Sequence, residues 1–230
     1  MADPVKPSRR YESPLRREQA SATRVEILRA AEVLFLRDGY GATTMSAIAK
    51  EAGVALKTVY VAFETKGGLL RALWNARLRG PDDVAHMSHH PGVREALDAP
   101  DPEQVLRLNA RNSRLGKERV GMLADVIRAA APLDGDIGLL WQRINAEYHA
   151  NQRAFVERLS ATHALAKELD VDRATDILWT INHPSTWHLL VALRGWTADE
   201  YERWAADTAC EQLLAGHRPV PADRPRDRGA

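Results

Sequence analysis

A chain of 230 residues, 45% hydrophobic and 27% charged, can bury a sizeable core and has the balance of an ordinary water-soluble fold. The single cysteine, Cys210, excludes an internal disulfide and a cysteine-based zinc site, and no apolar run approaches the roughly 18 residues of a membrane span. The net charge of +1 hides a division: residues 1–80 hold 14 Lys or Arg against 8 Asp or Glu (net +6), and residues 81–230 hold 18 against 23 (net −5).

Residues 1–20 carry Pro4, Pro7 and Pro14 with Lys6, Arg9, Arg10, Arg16 and Arg17, and too few apolar side chains to order themselves. A disordered basic arm is expected there, either a solvated tail or a strand laid along a minor groove. The start lacks the apolar stretch of a secretory signal, so a cytoplasmic location is expected.

Helical spacing begins near Ala22, with Ile27, Ala31, Leu34 and Phe35 on one face and Gly39 as the stop. Thr44 can cap a short helix from Met45 to Ala52. Gly53 breaks the chain, and a third helix runs from about Ala55 to Phe63. Thr65 can cap a fourth, through Leu70 and Trp74 to about Arg79, before Pro81. A loop-rich stretch follows from Pro81 to Pro102, with one short helix over Val93–Leu97. Helix resumes at Glu103, where Leu115, Leu123 and Ile127 are apolar and Gly116 and Gly121 predict a bend.

After a turn at 132–135, Ile137, Leu140, Trp141, Ile144, Tyr148, Phe155 and Leu159 form a long apolar stripe with Asn151 inside it. Asp170 can cap a helix through Ala174, Ile177, Leu178 and Ile181. Pro184 interrupts it and Trp187–Leu193 continues. Thr197 with Glu200 is a capping box for a last helix to about Ala215. The proline-rich tail, 216–230, is expected to be disordered.

Two short helices joined by a tight glycine turn make a helix-turn-helix. Residues 43–70, TTMSAIAKEAGVALKTVYVAFETKGGLL, resemble the DNA-binding signature of the tetracycline-repressor (TetR) family. The match lies in Thr44, Ile48-Ala49, Ala52-Gly53-Val54, Thr58-Val59-Tyr60, Phe63, Lys66 and Leu69-Leu70. It continues upstream through Ala30, Ala31, Phe35 and Gly39-Tyr40. The resemblance implies an all-α protein: a three-helix DNA-binding domain over 21–66, a linking helix over 65–80, and a helical bundle over 81–215 that dimerises and holds ligand.

Thr44, Thr58, Tyr60 and Lys66 are the candidate phosphate contacts, and Lys57 and Val61 the candidate base contacts. Lysine can donate to guanine O6 and N7, and valine can touch a thymine methyl. Three departures stand out. Ala55 occupies the cap position of the recognition helix, Gly67-Gly68 open the next helix at a propensity cost of about 1 kcal/mol each, and Val61-Ala62 offer no donors for base readout.

In the body, Trp141, Tyr148, Asn151 and Trp179 are candidate ligand-pocket residues, with core packing as the alternative for the aromatics and a backbone or water partner as the alternative for Asn151. The segments near 173–193 and 198–215 are expected to dimerise. One side of the last helix carries Tyr201, Trp204, Ala205 and Thr208, and another Ala206, Cys210 and Leu213, so a wholly internal helix is the alternative. His86, His89 and His90 read as solvated rather than metal-binding. No cofactor is implied.

The function expected is a regulator released from a palindromic operator by a small molecule. Activation, or control by a protein partner, is the alternative. No phosphate loop, nucleophile elbow or metal-ligand helix motif points to an enzyme.

Overall fold

The structure, a computed structural model, describes residues 14–79 and 91–216. The histidines at 86, 89 and 90, the first thirteen residues and the tail after Gly216 lie outside the described residues. The elements are α1 (Pro14–Ala42), α2 (Met45–Glu51), α3 (Leu56–Phe63), α4 (Lys66–Arg79), α5 (Pro91–Asp98), α6 (Pro102–Ala130), α7 (Gly135–Ala161), α8 (Val171–Asn182), α9 (Pro184–Trp187), a π-helical segment (His188–Leu193) and α10 (Ala198–Leu213). The chain divides into two compact units between Leu73 and Trp74, inside α4.

In the first unit, α1 begins at Pro14 and not near Ala22, so residues 14–20 of the expected disordered arm are helical. Proline is favoured in a first helical turn, where the N–H it lacks has no intrahelical partner to bond. Gly39, at φ 78°, ends the regular run, a conformation that glycine adopts without Cβ penalty. Thr43, buried, covers that break: its hydroxyl lies 2.8 Å from the Gly39 carbonyl and 3.2 Å from that of Leu34. The core contains Ile27, Ala31, Leu34, Phe35, Ile48, Ala49, Val59, Phe63, Leu69 and Leu70.

The turn between α2 and α3 is a Schellman motif. The Gly53 N–H donates to Lys50 O (3.2 Å) and the Val54 N–H to Ala49 O (3.0 Å), with Gly53 at φ 66°.

The link from α3 to α4 is tighter still. Glu64 sits at φ 60°, ψ −55°, and the Thr65 N–H donates to Phe63 O at 2.6 Å, closing a γ-turn. Thr65 then caps α4 through Gly68 N (2.9 Å). A Cβ on Gly68 would lie 2.6 Å from Phe63 O and 3.2 Å from Thr65 Oγ1. The sequence marks Gly68 only as a poor helix former, but the fold needs its missing side chain. Gly68→Ala therefore lowers stability by about 1–3 kcal/mol, measured as an earlier urea midpoint, instead of gaining the ~1 kcal/mol of alanine's propensity.

The second unit is a helical body. Acidic residues cap three of its helices: Asp101 before α6, Asp134 before α7 and Asp170 before α8. Thr197 and Glu200 form the expected capping box on α10. Helix α6 runs unbroken through Gly116 and Gly121, where a bend was expected. Both are buried, and a Cβ on Gly121 would lie 3.2 Å from Trp187 Nε1, so close packing explains that glycine. Of the apolar residues noted on this helix, Leu123 and Ile127 are buried and Leu115 is exposed.

The core joins Val105, Leu106, Phe155, Val156, Leu159, Leu178, Tyr201, Ala205, Ala206, Ala209, Cys210 and Leu213. Helix α10 thus turns both expected faces toward its own subunit, leaving Trp204 and Thr208 half-buried. Burial pushes the Cys210 thiol up to about 11. It packs as a small hydrophobe. No described helix is long and apolar enough to cross a membrane.

Candidate nucleic-acid interface and interior polar seam

Helix α3 is eight residues long, and its packing leaves one side clear. Val59 and Phe63 are buried. The opposite face presents Leu56, Lys57, Tyr60 and Val61, with Tyr60 48% and Val61 76% exposed. Spacings of three and four put Lys57, Tyr60 and Val61 on one stripe. An exposed apolar side chain beside a lysine and a phenol suits a groove edge, where methyl contact, donation to guanine and donation to phosphate are all wanted. Leu56 was not foreseen; its exposure places a second apolar group on this stripe.

Ala55 takes the cap conformation (φ −67°, ψ 142°) and makes no side-chain bond, as its residue type requires. Thr58 is half-buried. Thr44 caps α2, its oxygen accepting from the Ala47 N–H at 3.1 Å, so its own O–H remains a donor. Arg24 braces α1 on the end of α3: it donates to Ala62 O at 2.7 Å and lies 4.1 Å from the centroid of the Phe63 ring.

Lys66 has a structural role that its motif position did not reveal. Its Nζ donates to Tyr40 O (2.7 Å) and Thr43 O (2.9 Å) and lies 4.2 Å from the Tyr40 ring centroid. The charge thus ties α4 to the end of α1. Lys66→Ala should cost about 2–4 kcal/mol, as two charge-assisted bonds are lost, and should show in thermal unfolding as well as in DNA binding. Tyr60, exposed, carries no such burden.

The second unit holds a different kind of site. Asn109, Ser113 and Lys117 recur every four residues on one face of α6, and all three are buried. Buried Gln152 on α7 accepts from Asn109 Nδ2 (2.8 Å) and Asn182 Nδ2 (3.2 Å) at its Oε1. The inward polar residue of α7 is therefore Gln152; Asn151 is half-buried and outside this network. The Lys117 Nζ donates to the Ser113 hydroxyl and to Ser113 O at 3.4 Å, and lies 5.2 Å from the centroid of the Tyr201 ring. Burial lowers its pKa to about 7. Burial pushes the half-buried Tyr148 phenol up to about 12.

His183 joins the candidate aromatics. Trp179 meets its ring edge-on at 4.7 Å and Trp141 at 6.1 Å. Its Nδ1 accepts from the Ser185 N–H (3.0 Å), so the neutral ring carries its proton on Nε2 and donates to Asn145 Oδ1 at 2.8 Å. Burial first, then the charges of Lys117 and Arg128, lowers its pKa and favours that neutral form. Three buried atoms, Arg128 Nε, Trp179 Nε1 and Asn182 Oδ1, have no hydrogen-bond partner among the described residues. No cluster of His, Cys, Asp or Glu among the described residues could hold a metal ion.

Two short helices joined by a glycine turn, the second exposed along one face, form a helix-turn-helix, an architecture suited to the major groove of DNA. Residues 27–73 match the sequence profile of the bacterial regulatory proteins of the tetR family. ArpR of Pseudomonas putida, an HTH-type regulator, is 28% identical over 164 residues, covering 69% of this chain and 75% of its own. NalD of Pseudomonas aeruginosa, the secondary repressor of the MexAB-OprM multidrug efflux pump, shares the fold at a TM-score of 0.65 and 20% identity, covering 87% of this chain and 100% of its own. A regulator from Saccharomonospora viridis in complex with choline shares it at 0.66 and 16%, covering 86% and 100%. Residues 27–73 thus carry a tetR-type DNA-binding domain, and the chain is similar to DNA-binding transcriptional regulators along most of its length.

Proposed function

We propose that the protein is a homodimeric repressor that leaves a palindromic operator when a small molecule enters its second unit. The observation that carries the DNA half is the stripe of Lys57, Tyr60 and Val61, exposed on a short helix that its neighbours hold by the opposite face. Tyr60, Thr44 and Thr58 contact phosphates in this reading, Lys66 adds charge near them, and Lys57 and Val61 read bases.

A second copy of the chain is the partner that suits the outer side of α8 and α10. An open groove there is lined by Arg173, Asp176, Ile177, Thr180, Ile181, Thr208 and Gln212. A two-fold axis brings the same patch from both copies together, so Arg173 of each can meet Asp176 of the other around an apolar centre. Leu189 and Leu193 are also exposed, one turn apart on the π-helical segment.

The effector half of the reading rests on the polar seam of α6, α7 and α8, with Trp141, Tyr148 and Trp179 as apolar walls. A regulator of this fold is known with choline bound. Coupling between two such sites typically weakens DNA binding by a factor of about 5–150. A reporter fused to the gene's own promoter tests the repressor assignment. Deleting the gene should raise expression; a fall would identify an activator. Sedimentation of the purified protein should give a dimer, and a monomer at micromolar concentration would contradict the two-fold arrangement.

A further inference from the structure

The seam contains a buried lysine with no acidic partner among the described residues. Lys117 is 2% exposed, and its recorded partners are the Ser113 hydroxyl, the Ser113 carbonyl and the face of Tyr201. Buried ammonium groups are normally paired with carboxylates, because desolvation is otherwise uncompensated. Here the groups around it are neutral or cationic. Helix α10 presents Tyr201, whose hydroxyl donates to Ile181 O at 2.9 Å. His183 and Arg128 sense or share the same positive field, and Tyr148 of α7 bears on Tyr201. Asp125, two turns beyond Lys117 on α6, is already engaged by His188 Nδ1 at 2.6 Å and Arg128 at 3.5 Å.

Near this field lie a donor and an acceptor that are buried and unpartnered, Trp179 Nε1 and Asn182 Oδ1. Trp187 and Tyr201, in edge contact at 5.0 Å, add an aromatic wall.

We propose that the effector is an organic acid, a carboxylate on an aromatic or apolar body, whose anionic group pairs with Lys117 Nζ inside the second unit. The inference rests on the effector reading above. The carboxylate supplies the missing counter-charge, and its body lies against the aromatic walls. No covalent bond changes: the Lys117 amine takes one proton from solvent as the carboxylate docks, and the ion pair holds it. Burial, which lowers the affinity of this amine for a proton, makes that uptake visible slightly above neutral pH.

The test is calorimetry on the full-length protein at pH 8, in two buffers of different ionisation enthalpy. The probes are benzoate, 2-naphthoate, indole-3-acetate and octanoate, each beside its neutral amide. At least one acid should bind 10-fold or more tightly than its amide, with close to one proton taken up per acid bound. Lys117→Met should remove both the preference and the proton uptake while remaining folded. Amides that bind as well as acids, an acid preference that survives in Lys117→Met, or no binding by any acid would each overturn the proposal.

Operator binding measured beside the titrations separates this claim from the reading beneath it. Neutral compounds that bind and release DNA would leave the effector reading standing without the acid. Acids that bind through Lys117 without altering DNA affinity would keep the anion site and remove its effector role.

Discussion

Lys117→Met is expected to stabilise the ligand-free protein at pH 7 by several kcal/mol. The wild-type lysine binds its proton with a pKa near 10.5 when unfolded and about 7 when folded. The unfolded chain therefore holds more protons between those values, and wild-type stability climbs as pH rises from about 7 toward 10.5. Below pH 7 both states are protonated and the full penalty remains, on the order of 5 kcal/mol for this shift. Methionine has similar length and no charge, so it keeps the packing against Tyr201 and removes the penalty. The advantage of the variant should be greatest at pH 7 and below, and should fade toward pH 10.5. Urea unfolding at fixed protein concentration, at pH 6.5, 8 and 10, reads both features. A variant less stable than wild type at pH 7, or a gain independent of pH, would show that the amine is stabilised in the folded state by something other than its recorded partners.

Joint replacement of Lys57 and Tyr60 by alanine should weaken operator binding at least 100-fold and leave the unfolding midpoint within about 0.5 kcal/mol of wild type. Both side chains are exposed on α3. Exposed substitutions away from caps and ion-pair networks usually change stability little. In the proposed arrangement a base-reading lysine would contribute about 1–3 kcal/mol of discrimination, and a phosphate contact from Tyr60 would add to it. Lys57→Ala alone should blur sequence preference, whereas Tyr60→Ala alone should weaken all sequences alike. Electrophoretic mobility shifts on matched and mismatched duplexes distinguish the two. Unchanged affinity in the double variant would mean that α3 does not face DNA.

The first unit was legible because its signals are local. Gly53 names a turn, Thr44 and Thr65 name helix starts, and the apolar spacing of Ile27, Ala31, Leu34 and Phe35 names a buried face. What escaped depends on contacts between elements. Lys66 reads as a phosphate ligand from its motif position, and only the fold reveals its bonds to the carbonyls of Tyr40 and Thr43. Gly68 reads as a weak helix former until the Phe63 carbonyl is seen where its Cβ would stand.

The body was harder to read because long helices allow the assigned face to rotate by one residue. Asn151 and Gln152 are both amides at the same depth of α7, and the apolar stripe alone does not choose between them. Their partners Asn109 and Asn182 do, from 43 and 30 residues away. Lys117 is hard to find for a related reason: a lysine on a long helix reads as a solvated charge unless the buried face is fixed by other residues. The spacing Asn109, Ser113, Lys117, Gly121, four residues apart on a helix whose Leu106, Val120 and Leu123 are buried, is the sequence signal that could have found it.

Selection from a random duplex library with the full-length protein tests the central claim most directly. The expected result is convergence on an inverted repeat, bound with an affinity that falls steeply with salt as phosphate counterions are released. A library that stays unenriched, or pools bound no better than random duplex at any salt concentration, would contradict it.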